Sequence, residues 1–157
     1  MSQINDFVIT VATQNGSGSQ SSNNVLVRSL FRLGLPVGGK NLFPSNIQGL
    51  PTWFTIRVSP EGFTARRKFA DVVVAINPAT ALEDLKLVRE NGFVLLNSEI
   101  KLPDTARRAD LRIVSVPFRD LAGHVTDSVK LKKLLVNMVY VGVLAELLEL
   151  PQASSTK

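Results

Sequence analysis

The segment "FVITVATQNGSGSQSSNNVLVRSLFRLG", residues 7–34, decides the fold. It opens with Phe7–Val11, a β-branched run that is too short for a helix and suits a buried strand. After a polar stretch the apolar residues recur with helical spacing, which predicts a helix over about Ser21–Leu33. Gly34 ends that helix and Pro36 prevents its resumption. A strand, a polar loop and a helix in this order indicate an α/β domain.

The rest of the chain carries five more strand signals. Trp53–Val58 alternates as a strand does, and Ser59–Gly62 matches a type I turn. Phe63–Ala65 is therefore expected to pair back on that strand as an antiparallel hairpin. Apolar runs predict further buried strands, and these cover Val72–Ile76, Phe93–Leu96 and Leu111–Val116.

Two further helices complete the expected architecture. Asn77-Pro78 is expected to open a helix that Asn91-Gly92 closes. Lys130–Leu148 is apolar nearly all round and is expected to form a helix that is covered on most sides. The prediction is a three-layer α/β/α domain over residues 6–150, with a mixed, mostly parallel sheet and one antiparallel hairpin. Residues 151–157 are expected to form a disordered tail.

Composition excludes several classes of site. The 157 residues have the length of one domain, and the absence of cysteine excludes disulfides, cysteine-ligated clusters, thiolate zinc sites and a cysteine nucleophile in this chain. A single histidine, His124, disfavours a histidine-based metal site. The amino terminus lacks the basic and apolar regions of a signal peptide. Leu134–Leu150 is short for a bilayer span and contains Asn137, so a buried helix in a cytoplasmic protein is expected, without membrane contact.

The formal net charge of +5 comes from scattered basic residues. The clusters are Arg66–Lys68, Arg107–Arg108 and Lys130–Lys133, and few aromatic residues accompany them. Proteins that bind single-stranded nucleic acid combine a basic groove with stacking aromatic side chains. A solvated or partner-facing surface is therefore favoured over a nucleic-acid site.

The loop between the first strand and the first helix, Asn15–Gln20, is uncharged and contains Gly16 and Gly18. Glycines permit close backbone approach, and the free amides at a helix start attract anions. The dinucleotide fingerprint is incomplete, because Ser21 replaces its third glycine and Lys40 lies where an acidic residue is needed. The phosphate-loop lysine is also missing, and a serine nucleophile would lack a matching base. Two interpretations stay open: contact with a polar ligand or another domain, and a polar turn that binds nothing.

A second unusual segment is Gly39–Trp53, where a simple connection would be short and polar. Together with the loop it brings five amide side chains near one edge of the predicted sheet. Amides in this number suit recognition of a polar molecule or a partner's backbone better than acid–base chemistry. The sequence shows no paired carboxylates, catalytic triad or metal cluster, which indicates a binding or structural module. The five amides belong to Asn15, Gln20, Asn41, Asn46 and Gln48.

Four motifs resemble those of a known family. They are "NGSGSQSSNN", "GKNLFPSNIQGLPTW", "VVVAINPAT" and "NMVYVGVLAELL", in the order and spacing of the gamma domain of 2-oxoacid:ferredoxin oxidoreductases. The first two motifs are most similar to the start of the alpha subunit in 2-oxoglutarate-type enzymes, in which gamma and alpha are fused. The likeness covers about Asp6–Leu150 and indicates membership of that family.

The resemblance implies a part in the oxidative decarboxylation of a 2-oxoacid to an acyl-CoA. In such enzymes thiamine diphosphate with magnesium carries the carbanion chemistry, coenzyme A takes the acyl group, and iron–sulfur clusters pass electrons to ferredoxin. The implied partners are the thiamine-binding alpha and beta subunits and the iron–sulfur subunits, with ferredoxin an indirect partner. This chain is expected to bind no metal or cofactor alone, to supply no catalytic residue, and to be inactive by itself, as a split-gene subunit or an excised domain.

The resemblance also implies that this domain helps to form the coenzyme A site. Pyruvate-type enzymes tend to carry a lysine pair in the loop corresponding to Pro44–Leu50, whereas this chain has Ser45-Asn46-Ile47-Gln48 and, nearby, Lys40. Hydrogen bonding to the coenzyme is therefore expected to matter more than charge pairing. The glycine-serine loop is expected to contact the coenzyme or an adjoining domain. The expected cofactor-binding residues are Lys40, Asn41, Ser45, Asn46, Ile47, Gln48, Asn15, Gly16, Ser17, Gly18, Ser19 and Gln20.

His124 and Trp53 are expected to have structural rather than catalytic roles. His124 is expected in an exposed loop, and Trp53 is expected to anchor a core or an interface. An alternative function from a different class is a stand-alone regulatory or scaffolding module that binds a small phosphorylated ligand.

Overall fold

A computed structural model describes residues 6–44, 47–65 and 67–149. Within these residues both strands and helices occur, and two of the elements, Val37–Leu42 and Phe118–Gly123, are not among those that the sequence predicts. The strands are β1 (Phe7–Gln14), β2 (Val37–Leu42), β3 (Pro51–Val58), β4 (Ala70–Ala75), β5 (Val88–Asn97) and β6 (Arg112–Val116), and the helices are α1 (Ser19–Arg32), α2 (Ala81–Lys86), α3 (Phe118–Gly123) and α4 (Val129–Leu147), with a 3-10 turn at Asp104–Ala106.

The strands form one sheet in the order β2-β3-β1-β4-β5-β6. β1 is parallel to β4, β4 to β5, and β5 to β6, whereas β3 is antiparallel to its two neighbours, β1 and β2. Among the described strands only β3 therefore runs against the others. The predicted fold class, an α/β domain with a mixed and mostly parallel sheet, is confirmed.

Each face of the sheet carries its own apolar cluster. On the first face, α1, α3 and α4 pack over β-strand residues such as Ile9 and Ile56, with Leu30, Phe118 and Leu144 contributed by the helices. The second face carries a smaller cluster built from the alternate residues of the strands. Because both faces of the sheet are covered, successive residues of β1 and β4 are buried whichever face they point to. Both strands are therefore nearly continuous apolar runs.

The predicted position of the antiparallel hairpin is wrong. The Ser59–Gly62 turn does form, with the Gly62 N–H 3.0 Å from the Ser59 carbonyl oxygen, but Phe63–Ala65 forms no strand. The hairpin partner of β3 is β2, which precedes it and pairs from Val37 opposite Val58. Because β1 occupies the other side of β3 along its whole length, no edge of β3 is left for the later segment.

The helix expected between Asn77-Pro78 and Asn91-Gly92 is shorter than predicted. It covers Ala81–Lys86, and the chain returns to the sheet at Val88. Asn91, with φ of 59°, and Gly92 lie inside β5, where the pairing with β4 shifts register. The turn-forming dipeptide therefore makes a bulge within a strand and does not end a helix.

α4 has the predicted extent but not the predicted environment. Its buried residues lie on one side only, and several apolar side chains on the other side are exposed. The expectation that the helix is covered on most sides is therefore wrong for this chain alone. The predicted tail, residues 151–157, lies outside the described residues, and the domain bounds stay a prediction.

A buried carboxylate holds α2 against the second face of the sheet. Asp84 is 1% exposed and accepts hydrogen bonds from the Trp53 indole (2.7 Å) and the Thr80 hydroxyl (2.7 Å). Loss of solvation on burial raises the pKa of Asp84, although both hydrogen bonds act to lower it. Trp53, which the sequence predicts as an anchor, is half-buried and joins β3 to α2 through this bond.

The raised pKa of Asp84 predicts a pH-dependent stability difference between Asp84→Asn and the wild type. Stability from a raised carboxyl pKa is fully present below the unfolded value, near 3.8, and is lost as the pH rises through the folded value. The asparagine still accepts from Trp53 and does not titrate. In urea unfolding between pH 3.5 and about 7, the free energy of unfolding of the variant should therefore increase relative to that of the wild type as the pH rises.

Asp110→Asn is the control of opposite sign. Hydrogen bonds from Arg108 lower the pKa of Asp110. The free energy of unfolding of the wild type should therefore decrease relative to that of this variant as the pH falls. A pH-independent difference between Asp84→Asn and the wild type would contradict the role given to the buried carboxylate.

Candidate functional site

The sheet contains a crevice between the carboxyl ends of β1 and β4. These strands are parallel neighbours, yet the chain leaves β1 for α1 on the first face and β4 for α2 on the second. Open α/β sheets bind ligands where two adjacent strands connect to opposite faces in this way. The polar loop Asn15–Gly18 and the segment Asn77–Thr80 lie at this point.

The two polar segments singled out in the sequence meet at the same edge. The backbone N–H of Asn15 donates to the Leu50 carbonyl oxygen (2.8 Å), and the N–H of Gly49 donates to the Asn15 carbonyl oxygen (2.9 Å). The Asn15 side-chain amide also donates to the Ile47 carbonyl oxygen (3.3 Å). The predicted proximity of the two segments is confirmed for the described residues, and Asn15 is the residue that joins them.

The loop glycines are required by backbone conformation and by close contact. Gly16 and Gly18 have φ of 80° and 82°, a region that other residues adopt only at a cost. A Cβ atom on Gly16 would lie 2.8 Å from Gln48 Cγ, and one on Gly18 would lie 2.5 Å from Leu134 Cδ2. The glycines thus allow the second segment and α4 to pack directly against the loop.

Buried polar side chains support the loop from below. The Asn137 amide of α4 donates to the Ser17 carbonyl oxygen (2.8 Å), and the Tyr140 hydroxyl donates to Asn23 Oδ1 (2.8 Å). Burial raises the pKa of the Tyr140 hydroxyl, which keeps it a donor. Asn137, Tyr140 and Asn23 are not among the residues that the sequence predicts for the site. The sequence did contain one signal, the amide of Asn137 within an otherwise apolar helix. Buried polar groups need hydrogen-bond partners, so such an amide indicates a polar contact of the helix.

A further hydrogen bond joins the two sides of the crevice. The side-chain amide of Asn77, which is buried after β4, donates to the carbonyl oxygen of Thr13 at the end of β1 (3.3 Å). The Thr13 hydroxyl lies 2.8 Å from the Ser19 hydroxyl in the first turn of α1. The crevice therefore has a rigid floor made of neutral hydrogen-bonding groups.

The groups that the site offers are suited to binding. Gly18 is the N-cap of α1 and has no side chain, so the first-turn N–H groups carry no side-chain cap and favour an anionic or polar ligand. Gln20 and Gln48 are exposed beside them. The buried Ser17 hydroxyl has no hydrogen-bond partner within the described part of the chain. In that part there is also no cluster of three His, Cys, Asp or Glu residues that could hold a metal ion.

Lys40 and Asn41 lie on β2, away from the loop. Lys40 pairs with Thr55, whereas Gln14, which precedes the loop, pairs with Pro51. Thr55 and Pro51 are four positions apart on β3, so Lys40 lies about 13 Å along the sheet from the start of the loop. Strand alternation turns Lys40 toward the second face and Asn41 toward the first, where Asn41 accepts a hydrogen bond from Thr52 (3.1 Å). The structure thus brings Asn15–Gln20 together with Ile47 and Gln48, but not with Lys40. Ser45 and Asn46 lie outside the described residues.

His124 and a charged cleft lie apart from this site. His124 is exposed at the end of α3, as predicted, with Nδ1 2.7 Å from the Asp120 carbonyl oxygen. At the amino ends of the parallel strands, a cleft of about 510 Å³ is bordered by ion-paired side chains. The Arg89–Asp71 pair is 2.6 Å apart, and hydrogen bonds from Arg67 and Arg57 lower the pKa of Asp6. The cleft residues are Asp6, Arg67, Lys68, Phe69, Asp71 and Arg89.

Comparison with known proteins identifies the family. The model of the pyruvate ferredoxin/flavodoxin oxidoreductase family matches residues 8–157. The chain belongs to this family. No curated protein sequence matches the chain. Across the described residues, no helix is long and apolar enough to cross a membrane.

Solved structures with the same fold come from oxidoreductases of this kind. The pyruvate oxidoreductase subunit PORC of Thermotoga maritima is 20% identical, with a TM-score of 0.73, and 94% of this chain covers 79% of that one. The 2-oxoglutarate:ferredoxin oxidoreductase of Magnetococcus marinus, solved with 2-oxoglutarate, coenzyme A and succinyl-CoA bound, is 24% identical (TM-score 0.80). There 94% of this chain covers only 25% of the longer chain.

A third structure with this fold is a keto/oxoacid ferredoxin oxidoreductase gamma subunit from Geobacter sulfurreducens. It is 14% identical, with a TM-score of 0.71, and 93% of this chain covers 79% of it. At these identities the likenesses establish the shared fold, while family membership rests on the family model.

Gly18→Ala is predicted to destabilise the chain by about 2–4 kcal/mol, because it adds overpacking against Leu134 to the cost of a positive φ. Gly34→Ala is the matched control, since Gly34 has φ of 79° and no atom within 4 Å of an added Cβ. That variant should lose only about 1–2 kcal/mol. Equal losses in chemical unfolding would show that the contact with Leu134 does not constrain the loop.

Proposed function

We propose that this chain is the gamma-type subunit or domain of a 2-oxoacid:ferredoxin oxidoreductase, of the 2-oxoglutarate type, and that it forms one wall of the coenzyme A site. The observation that supports this most directly is the hydrogen-bonded junction of Asn15 with Gly49 and Leu50, at the carboxyl edge of the sheet. Family membership supports the reaction class. The Magnetococcus enzyme of similar fold, which binds coenzyme A, supports the ligand.

The chemistry of the junction suits the polar parts of coenzyme A. Uncapped first-turn N–H groups of α1 and the exposed amides of Gln20 and Gln48 can donate to phosphate or pantetheine oxygens. Lys40 is the cation proposed to meet a phosphate. Because β2 is an edge strand, an extended molecule that starts at the loop would reach Lys40 only by passing round that edge.

The redox and carbanion chemistry belongs to partner subunits in this proposal. Thiamine diphosphate would supply the acyl carbanion and iron–sulfur clusters would accept the electrons. This chain has no cysteine to ligate a cluster. Its own residues are proposed to bind and orient the acyl acceptor and to pack against the thiamine-binding subunits.

In the assembled enzyme, Gln48→Ala and Lys40→Ala should each raise the Michaelis constant for coenzyme A. Loss of a hydrogen bond to a charged group costs about 1.5–3 kcal/mol, or about ten- to a hundredfold. The Michaelis constant for the 2-oxoacid should change little, since decarboxylation precedes transfer to the thiol. Lys101→Ala, at another exposed lysine, is the control.

The two variants separate the parts of the proposed site. An effect of Gln48→Ala without one of Lys40→Ala would confine the coenzyme to the loop junction. Normal coenzyme A kinetics in both variants would contradict the coenzyme A assignment.

The isolated chain should reduce no viologen dye with 2-oxoglutarate, coenzyme A and thiamine diphosphate, because it has no cysteine to ligate an electron-accepting iron–sulfur cluster. Turnover should appear once the partner subunits are added. Reduction by the purified chain alone, measured at the dye's absorbance maximum, would refute this division of roles.

A further inference from the structure

One side of α4 is apolar and exposed. The covered side consists of the buried Asn137, Tyr140, Val141 and Leu144, together with the partly buried Val136, Val139 and Val143. The opposite side would normally carry charged residues on a surface helix. Here it carries Leu131 (49% exposed), Leu134 (43%), Met138 (43%) and the exposed Gly142, at positions i, i+3, i+7 and i+11. We call these four residues the α4 stripe.

The segment that contains most of the stripe is free of charge. No charged residue occurs between Leu134 and Ala145, twelve positions that span about 18 Å of helix. The first face of the sheet needs only one side of this segment. Its uncharged opposite side is therefore in excess of what the fold of this chain requires.

Gly142 is also unexplained by the fold of this chain. Glycine in a helix interior is less stable than alanine, and nothing lies within 4 Å of a Cβ added at Gly142. By contrast, Gly16 and Gly18 are forced by their own contacts. A glycine on an exposed apolar helix face permits the close approach of another backbone.

The stripe is continuous with the candidate site. Leu134 packs against Gly18, and the Ser22 hydroxyl of α1 lies 3.4 Å from the Met138 sulfur. Val25, one turn further along α1, is 45% exposed. α1 and α4 thus run side by side from the loop, and a protein that completes the site at the loop would reach the stripe.

The charges at the amino end of the stripe and along α1 are mostly basic. Lys130, Lys132 and Lys133 lie at its amino end, and α1 contributes Arg28 and Arg32. α1 contains no acidic residue, and in α4 the first acidic residue is Glu146, one turn beyond Gly142. A partner surface with carboxylates opposite the amino end of the stripe would complement these basic residues.

We propose that the α4 stripe is the docking surface for a partner subunit, which presents an apolar helix flanked by aspartate or glutamate residues. The spacing of the stripe and its glycine fit helix-on-helix packing. This inference rests on the proposed function, which supplies the partner, and it adds the surface and the chemistry of contact.

Gly142→Gln is the sharpest test, because it should affect the isolated chain and the complex in opposite directions. Alone, the variant should keep or raise its melting temperature, by up to about 2–4 °C, since glutamine is the better helix former and meets no atom. In the complex the added side chain should weaken subunit binding at least tenfold, measured by titration of this chain into the partner subunits of its own oxidoreductase.

Met138→Gln and Leu82→Gln form a matched pair. Met138 is 43% exposed on the stripe, and Leu82 is 46% exposed on α2, on the other face of the sheet. Only Met138→Gln should weaken the complex. The loss of affinity that it causes should be smaller in a chain that already carries Gly142→Gln. High salt should also weaken the wild-type complex, because complementary charges rim the contact.

The outcomes separate the inference from the proposed function. If the wild-type chain forms no complex with those subunits, both fail. If it forms a complex that Gly142→Gln and Met138→Gln leave unchanged, only the docking surface is refuted. A dimer of the isolated chain that Gly142→Gln dissolves, or binding to anionic phosphatidylserine vesicles that it abolishes, would show a different occupant and overturn the proposal.

Discussion

β1 pairs with β3 along its whole length and, on its other side, with β4 over Ile9–Ala12. This central position constrains the rest of the structure. The antiparallel pairing places the start of β3 beside the end of β1. The segment before β3 is therefore drawn against the loop after β1, and Asn15 makes both backbone bonds. The parallel pairing places the end of β4 at the same edge and creates the crevice.

The candidate site uses neutral groups held by a rigid base. Asn137, Tyr140 and Asn77 use their polar atoms to position backbone carbonyls and side chains of the loop region. Such buried networks are costly when incomplete, so each member restricts the others. A wall of this kind can orient a flexible substrate without taking part in its chemistry, which agrees with the absence of an acid–base pair in the sequence.

The exposed side of α4 connects fold and assembly. On one side the helix packs in the core of its own domain, and on the other side it is proposed to pack against a partner subunit. These are two different requirements on its sequence. The glycine at position 142 distinguishes these requirements, since only the second explains it. The placement of the stripe beside the loop means that docking and coenzyme binding would share α1 and α4 as a common support.

The sequence by itself determined the elements whose signals are local. Alternation located β3, helical spacing located α1, and continuous apolar runs located β1 and α4. The two glycines with their amide-rich neighbours marked the loop. Tertiary structure alone decided which strand pairs with β3. The Ser59–Gly62 turn is compatible with a hairpin to the following segment, but β1 and β2 already pair with the two edges of β3 and leave none for it. Tertiary structure also decided that Lys40 lies about 13 Å along the sheet from the loop, since register depends on non-local pairing. The supporting amide of Asn137 could be noticed in sequence, but its partner, 120 residues away, could be found only once the chain had folded.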